Sequence, residues 1–328
     1  MDFSKLPKIE LHLHLDCSLS FEAVHQLEGL SFETYRSRFV APPKCRDLNE
    51  YLQFALSGIQ VLQSKKSLEV ATFDLFEQLK ADNVIYAEIR FAPLEHREKG
   101  LAAQEVVQTV CNAMEGSTRQ TDIQAGLILC TLRHYTEAQS LETVKLAAQF
   151  KGQGVVGFDI AADEAGFSIQ NHLTAFQFAK ANGIHCTAHA GEACGPESVW
   201  ESIREFAPQR IGHGVRSAED PALLEYLRKQ NIHLEVCPTS NIQTNVYSTL
   251  ADHPIDKLFR TGISIGINTD ARTISDVTLE QEYNKLAQAF QWGKAEFLAC
   301  NLAALDHAFA QPHLKASLRK HLIAGYAG

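Results

Sequence analysis

The chain of 328 residues has no stretch rich in Pro, Gly or Ser, no repeat of 20–50 residues and no run of like charge. These absences exclude a linker-joined array and a charged interaction tail. Lys and Arg total 30 against 39 Asp and Glu, a formal charge of −9. The positive field that draws proteins to phosphate backbones or anionic lipid is therefore missing, and neither nucleic acid nor a membrane is an expected partner. No C-x-x-C unit occurs among the eight cysteines at 17, 45, 111, 130, 186, 194, 237 and 300. Zinc knuckles and redox pairs are thereby excluded, and buried free thiols in a reducing compartment are expected. The first residues, MDFSKLPKIELHLHLD, place charges and two histidines inside the apolar run. They fit neither a signal-peptide core nor a membrane span, which points to a cytoplasmic protein. No G-x-G-x-x-G follows the first strand-like run and no P-loop occurs, which argues against an open nucleotide-binding sheet.

What is present is an ordinary globular balance, 45% hydrophobic and 21% charged, with enough apolar material for a sizeable core. Short apolar, β-rich runs alternate with longer stretches of helical periodicity. The runs are Ile9 to Leu13, Val84 to Phe91, Ala125 to Leu129, Val155 to Ile160, His185 to His189, Arg210 to Gly212, Ile232 to Val236 and Ile263 to Asn268. Helices are expected over 66–82, 102–118, 138–150, 168–182, 196–206 and 219–230, with more across 277–325. Eight strand–helix units predict an α/β fold, a (β/α)₈ TIM barrel formed as a single domain over 1–328. Segment 20–60 exceeds one crossover and predicts extra helices over the mouth. Within it Leu48, Tyr51, Leu52 and Ala55 share a helical face, fit either for core packing or for lining a ligand chamber.

A barrel gathers functional side chains at the C-terminal ends of its strands. His12 and His14, two apart in the first run, point to one face, and Asp16 continues that alternation. The fifth run ends at His189, the sixth at His213 and the eighth near Asp270. Any one strand histidine can be a satisfied core residue, but several polar strand ends would each cost about 1–3 kcal/mol if left unpartnered. Three neutral imidazoles and a carboxylate suit a mononuclear zinc site with room for water. Glu192, in HAGEACGPES where a strand gives way to a helix, is either a helix-entry acid or a proton donor. His213 sits between two glycines in RIGHGV and is open to a role as ligand or as base.

Together the strings IELHLHLDCSL, TAHAGEACGPESVW, RIGHGVRSAED, LEVCPTSNIQT and SIGINTDA, in order from about residue 7 to 310, resemble the adenosine deaminase family of the amidohydrolase superfamily. The resemblance implies a barrel that holds one Zn²⁺ on His12, His14, His189 and Asp270. It implies hydrolytic deamination of adenosine and 2′-deoxyadenosine to inosine or deoxyinosine and ammonia. In that chemistry His213 takes a proton from water and Glu192 gives one to purine N1. Asp16 would lie near the ribose 5′ hydroxyl, and the Ala162 amide would meet purine N3. The chain departs from the family's pattern in three places. IAADE stands for LAGDE, Cys17 for a glycine, and Ala271 followed by Arg272 for a second aspartate that contacts purine N7. These departures leave open another 6-aminopurine substrate, adenine or a 5′-modified adenosine such as aminodeoxyfutalosine. A binuclear amidohydrolase would need a bridging lysine, which 155–162 lacks, and a non-catalytic barrel would have lost one of the six site residues, all of which are present. The expected partner is a small purine nucleoside. Oligomeric state is not set by these features.

Overall fold

The computed structural model describes residues 2–327. Eight parallel strands follow one another in chain order: β1 Lys8–His14, β2 Val84–Phe91, β3 Gln124–Leu132, β4 Val155–Ala161, β5 His185–Ala190, β6 Arg210–His213, β7 His233–Val236 and β8 Ile265–Ile267. The fold is the (β/α)₈ barrel that the alternating pattern predicts. β2 is buried at all eight positions, as a strand covered on both faces must be.

Closure between β8 and β1 does not run along a full ladder. A bridge pairs Leu13 with Asp270. There the Asp270 carbonyl accepts the His14 N–H (2.8 Å), and the Asp270 N–H donates to the His12 carbonyl (3.0 Å). Just below, Asn268 Oδ1 accepts the N–H groups of Leu11 and His12. The seam of the barrel therefore lies among the sequence-selected histidines and aspartate.

Among the described residues, fifteen α-helices surround the strands. Four lie between β1 and the next crossover: α1 Phe21–Glu28, α2 Phe32–Phe39, α3 Leu48–Leu52 and α4 Ala55–Val61. Then come α5 Lys65–Ala81, α6 Ala103–Thr121, α7 Glu137–Gln149, α8 Leu173–Ala181, α9 Pro196–Phe206 and α10 Pro221–Gln230. After β7 follow α11 Pro238–Gln243 and α12 Ile255–Arg260, and after β8 α13 Leu279–Phe290, α14 Lys294–His307 and α15 Pro312–Tyr326. Local chemistry marks the ends: Ser20 caps α1, Ser64 opens α5 with a capping box, and Pro196 takes the first position of α9.

Three expectations need correction. Leu48, Tyr51, Leu52 and Ala55 do not lie on one helix but on α3 and α4, broken at Gln53 and Phe54; their helical spacing holds across the break. α11 and α12 lie outside the expected helices, because at six residues each they are too short to show a periodicity. The thiols are all free, but Cys17 and Cys194 are half-buried because both sit on loops at the barrel mouth.

Inside the barrel a charged layer replaces the usual branched aliphatics. Arg90 donates to Asp159 (2.8 Å) and to Glu235 (2.7 Å), while Arg210 donates to Glu235 (2.6 Å) and to Glu88 (2.6 Å). All five side chains are fully buried. Unpaired, such charges would be prohibitive; here each guanidinium lies between two carboxylates.

Candidate metal centre and active site

Directly above that layer, His12, His14 and His189 bring their ring nitrogens together with the Asp270 carboxylate, one ligand atom from each lying within 4.8 Å of all the others. Two of the rings have fixed tautomers. His12 Nδ1 donates to Glu235 (2.9 Å) and His189 Nδ1 to Asp159 (3.0 Å), so both rings turn a bare Nε2 to the centre. The two carboxylates that orient these rings are held in turn by Arg90.

His12 Nε2 is buried without a hydrogen-bond partner, and His14 Nε2 faces His189 Nε2 at 3.3 Å. A buried ring nitrogen left without a donor, as at His12, is satisfied when a cation stands before it. Asp270 Oδ1 lies 3.3 Å from His12 Nε2 and 3.5 Å from His14 Nε2, while Oδ2 accepts a hydrogen bond from Ser240 (2.7 Å). The donor set, three imidazoles and one carboxylate, fits a divalent transition metal. Burial holds His14 down to about 3 and lowers His189, so these rings are neutral and free to ligate. Against the upward push of burial, the facing rings of His12, His213 and His14 keep Asp270 well below the usual carboxylate range.

Beside this centre stand Glu192 and His213. Glu192 is 4% exposed, and burial pushes its carboxyl well above the usual range, with the charges of Asp270 and Glu164 adding to the effect. That direction favours the protonated form and suits the group to deliver a proton. Its Oε2 lies 3.5 Å from His213 Nε2. Burial likewise holds His213 well below its ordinary value.

A chain of hydrogen bonds fixes which nitrogen of His213 bears the proton. The Ile255 N–H donates to His253 Nδ1 (3.2 Å), so His253 must donate from Nε2 to Asn241 Oδ1 (3.2 Å). The Asn241 amide nitrogen then donates to His213 Nδ1 (3.1 Å). A backbone N–H cannot accept, so the chain has one possible sense, and neutral His213 presents Nε2–H to the site.

Backbone conformation at these positions is unusual. His213, Asp270 and Ala162 all have positive φ, 58°, 64° and 78°. Non-glycine residues adopt this region seldom, and its clustering at site residues is the pattern of a site that holds side chains in place at some cost. Gly212 is required by crowding: a Cβ there would stand 3.0 Å from His12 Cε1.

The residues selected from sequence are largely brought together. His14, His189, Glu192, His213, Asp270 and Ala162 line one narrow chamber of about 50 Å³, walled also by Cys17, Leu48, Tyr51, Leu52, Ala55, Ala161, Ala271 and Ile274. His12 lies beneath it. Asp16 differs from expectation. β1 ends at His14, so strand alternation no longer governs Asp16, which lies in the following turn. Its carboxylate faces His96 Nε2 (3.5 Å) rather than the chamber wall. Cys17 is on the wall, but burial pushes its thiol well up and leaves it protonated, in keeping with packing rather than nucleophilic attack. Arg272 turns away from the chamber to Glu10 (2.6 Å) and Asp82 (3.0 Å).

Sequence reasoning missed Asp159, Glu235, Ser240, Asn241, His253 and Glu164. For the first two a signal existed: VVGFDIA and HLEV each contain one carboxylate inside a buried strand.

A family profile described as adenosine deaminase matches residues 7–324. Among curated proteins, the adenosine deaminase of Clostridium acetobutylicum is 36% identical over 97% of each chain, and that of Lacticaseibacillus paracasei is 37% identical over 100% of this chain and 99% of its own. Among solved structures, the adenine deaminase of Arthrobacter aurescens superposes with a TM-score of 0.90 at 25% identity, covering 98% of this chain and 100% of that one. No described helix is long and apolar enough to cross a membrane. With its profile match, its near full-length relatives and a barrel whose mouth gathers three histidines and an aspartate, the chain belongs to the adenosine deaminase family.

Proposed function

We propose that this protein, acting as one barrel domain, hydrolytically deaminates adenosine and 2′-deoxyadenosine, releasing inosine or deoxyinosine and ammonia. The observation that carries the proposal is the meeting, in one buried chamber, of three converging imidazoles and the Asp270 carboxylate with a second carboxyl that burial pushes upward. Zinc suits the set His12, His14, His189 and Asp270, and when bound it makes water acidic enough to attack at neutral pH. Glu192 gives its proton to purine N1, which draws electrons from the ring and opens C6 to addition. Asp270, with Oδ2 tied to Ser240, is placed to take the proton of the attacking water. His213 Nε2–H steadies the negative charge that grows on the attacking oxygen. This donor role differs from the base role that the resemblance implies, because Asn241 occupies Nδ1 and leaves Nε2 protonated. Asp270 passes the proton it took to the departing amine, the C6 hydroxyl proton returns to Glu192, and the tetrahedral centre collapses to the carbonyl as ammonia leaves.

In this proposal Ala162 offers its amide to purine N3, and Asp16 serves the 5′ hydroxyl from beside His96. No Lys or Arg lines the chamber among the described residues, which favours a neutral nucleoside over a nucleotide. The chamber is too narrow for a nucleoside as it stands, so α3 and α4, which supply Leu48, Tyr51, Leu52 and Ala55, must move outward to admit one. That narrowness favours a second reading, adenine, while a 5′-modified adenosine would need the outer cleft beyond Leu48 and Glu192.

The test is a parallel assay of the zinc-replete protein on adenosine, 2′-deoxyadenosine, adenine and a 5′-modified adenosine, following absorbance and ammonia. Turnover of the first two is expected. Exclusive use of adenine or the modified nucleoside would select the second reading, and turnover of none would sink the deaminase proposal.

A further inference from the structure

The loop that carries Glu192 runs from Gly191 to Gly195, between β5 and α9, and has no regular structure of its own. Its backbone amides from Gly191 to Cys194 converge on a single side chain from the neighbouring strand's loop. Glu164 Oε1 accepts the Gly191 N–H (2.7 Å) and the Ser198 hydroxyl (2.5 Å). Its Oε2 accepts the N–H groups of Glu192 (3.0 Å), Ala193 (2.6 Å) and Cys194 (3.0 Å). Four consecutive backbone donors thus wrap one carboxylate, and the carboxylate is 5% exposed. No Lys, Arg or His forms an ion pair with it among the described residues. Backbone amides and one hydroxyl alone hold its charge, as in an anion-binding nest.

That arrangement goes beyond what loop closure alone requires. A charge without a cation partner is expensive to bury, and it survives here only while all the donors stay aimed at it. The carboxylate and the loop therefore fix each other. Movement of the loop away from Glu164 would strand a buried charge, and loss of the carboxylate would leave four backbone N–H groups without this acceptor. Gly191 adds constraint on the other side: its φ is 67°, and a Cβ there would stand 2.5 Å from Val199 Cγ2. The segment Ala162–Glu164 also joins two parts of the site, with Ala162 on the chamber wall and Glu164 under the acid.

We infer that Glu164 is the positioning residue for Glu192: its carboxylate, gripped by the amides of 191–194, sets the place from which Glu192 delivers its proton. The inference rests on the proposed role of Glu192 as proton donor. The charge of Glu164 beside Glu192 also disfavours a second carboxylate there, which works in the same direction. His189, by contrast, is oriented by Asp159 from inside the barrel and does not depend on this grip.

A double-mutant cycle of Glu164→Gln and Glu192→Gln tests this, read as kcat, KM, bound zinc and thermal stability. The side-chain amide introduced by Glu164→Gln can satisfy only part of the donor set and turns an N–H₂ against the loop amides. Glu164→Gln should lower kcat about 100-fold, the scale of a misplaced catalytic group, with KM little changed and zinc retained. In the Glu192→Gln background the same substitution should add less than about 3-fold, since there is no proton left to aim. An equal loss in both backgrounds, or no loss in the first, overturns the inference. Should Glu164→Gln not fold, Ser198→Ala carries the same cycle, removing one of the five bonds and leaving the charge. A loss of about 3-fold that vanishes in the Glu192→Gln background supports the inference; a loss that persists there, or no loss at all, refutes it. Full activity in Glu192→Gln alone would instead refute the role of Glu192, a distinct outcome.

Discussion

Two layers of one barrel use the same residue types to opposite ends. In the lower layer Arg90, Arg210, Glu88, Asp159 and Glu235 pair with one another, each guanidinium between two carboxylates. In the upper layer His12 and His189 spend one nitrogen on the layer below and turn the other to the centre, and burial pushes the Glu192 carboxyl well above the range of exposed carboxyls. The charges of the lower layer are balanced without any ligand; the upper layer, in the proposed function, is completed by a cation and a substrate. Burial is equally deep in both, so depth alone does not make a site. What differs is open valence: donors and acceptors left without protein partners where backbone strain holds them in place.

The sharpest way to break this comparison is to remove an upper-layer group with two jobs. Asp270→Asn loses both a metal ligand and the proposed acceptor of the water's proton, and turnover should fall at least about 10⁴-fold in the adenosine assay. Metal analysis should show reduced zinc while circular dichroism stays native.

A lower-layer change should act on both layers at once. In Glu235→Gln the support for His12 weakens, and zinc affinity should drop about 10–100-fold in a chelator competition. Stability should fall by about 3–5 kcal/mol in urea titration, because Arg90 and Arg210 lose a shared partner. A loss of stability with unaltered zinc affinity would separate the layers and contradict the coupling.

The smallest effect comes from a carboxyl outside both layers. Glu282 on α13 is buried, accepts the Thr239 N–H with one oxygen and has no partner for the other, and burial pushes its pKa up to about 7. The folded state therefore holds this proton more tightly than the unfolded chain does. Its contribution to stability is present below about pH 4.5 and is lost as pH rises through about 7. Wild-type melting temperature should fall from pH 5 to pH 8 relative to Glu282→Gln, by the equivalent of about 2 kcal/mol; parallel profiles would show that Glu282 does not titrate in this window.

Much of the barrel was legible because its signals are local. Buried strands read as apolar runs, and the helical stretch at 196–206 coincides with α9. The upper layer was legible for a related reason: imidazoles at strand ends stand out, and barrel geometry says where such ends meet. The lower layer was not, since Asp159 and Glu235 acquire meaning only once Arg90 is placed between them from a third strand. Glu164 was less legible still, because its partners are backbone amides, which leave no mark in a sequence. Asp16 was misplaced by extending strand alternation past the last residue of β1.

The most direct measurement is crystallographic: anomalous scattering at the zinc edge from the purified protein. One peak is expected, about 2.0–2.2 Å from His12 Nε2, His14 Nε2, His189 Nε2 and an Asp270 carboxylate oxygen. A fully loaded protein whose peak lies elsewhere, or one with no peak among these four groups after incubation with zinc, would contradict the account.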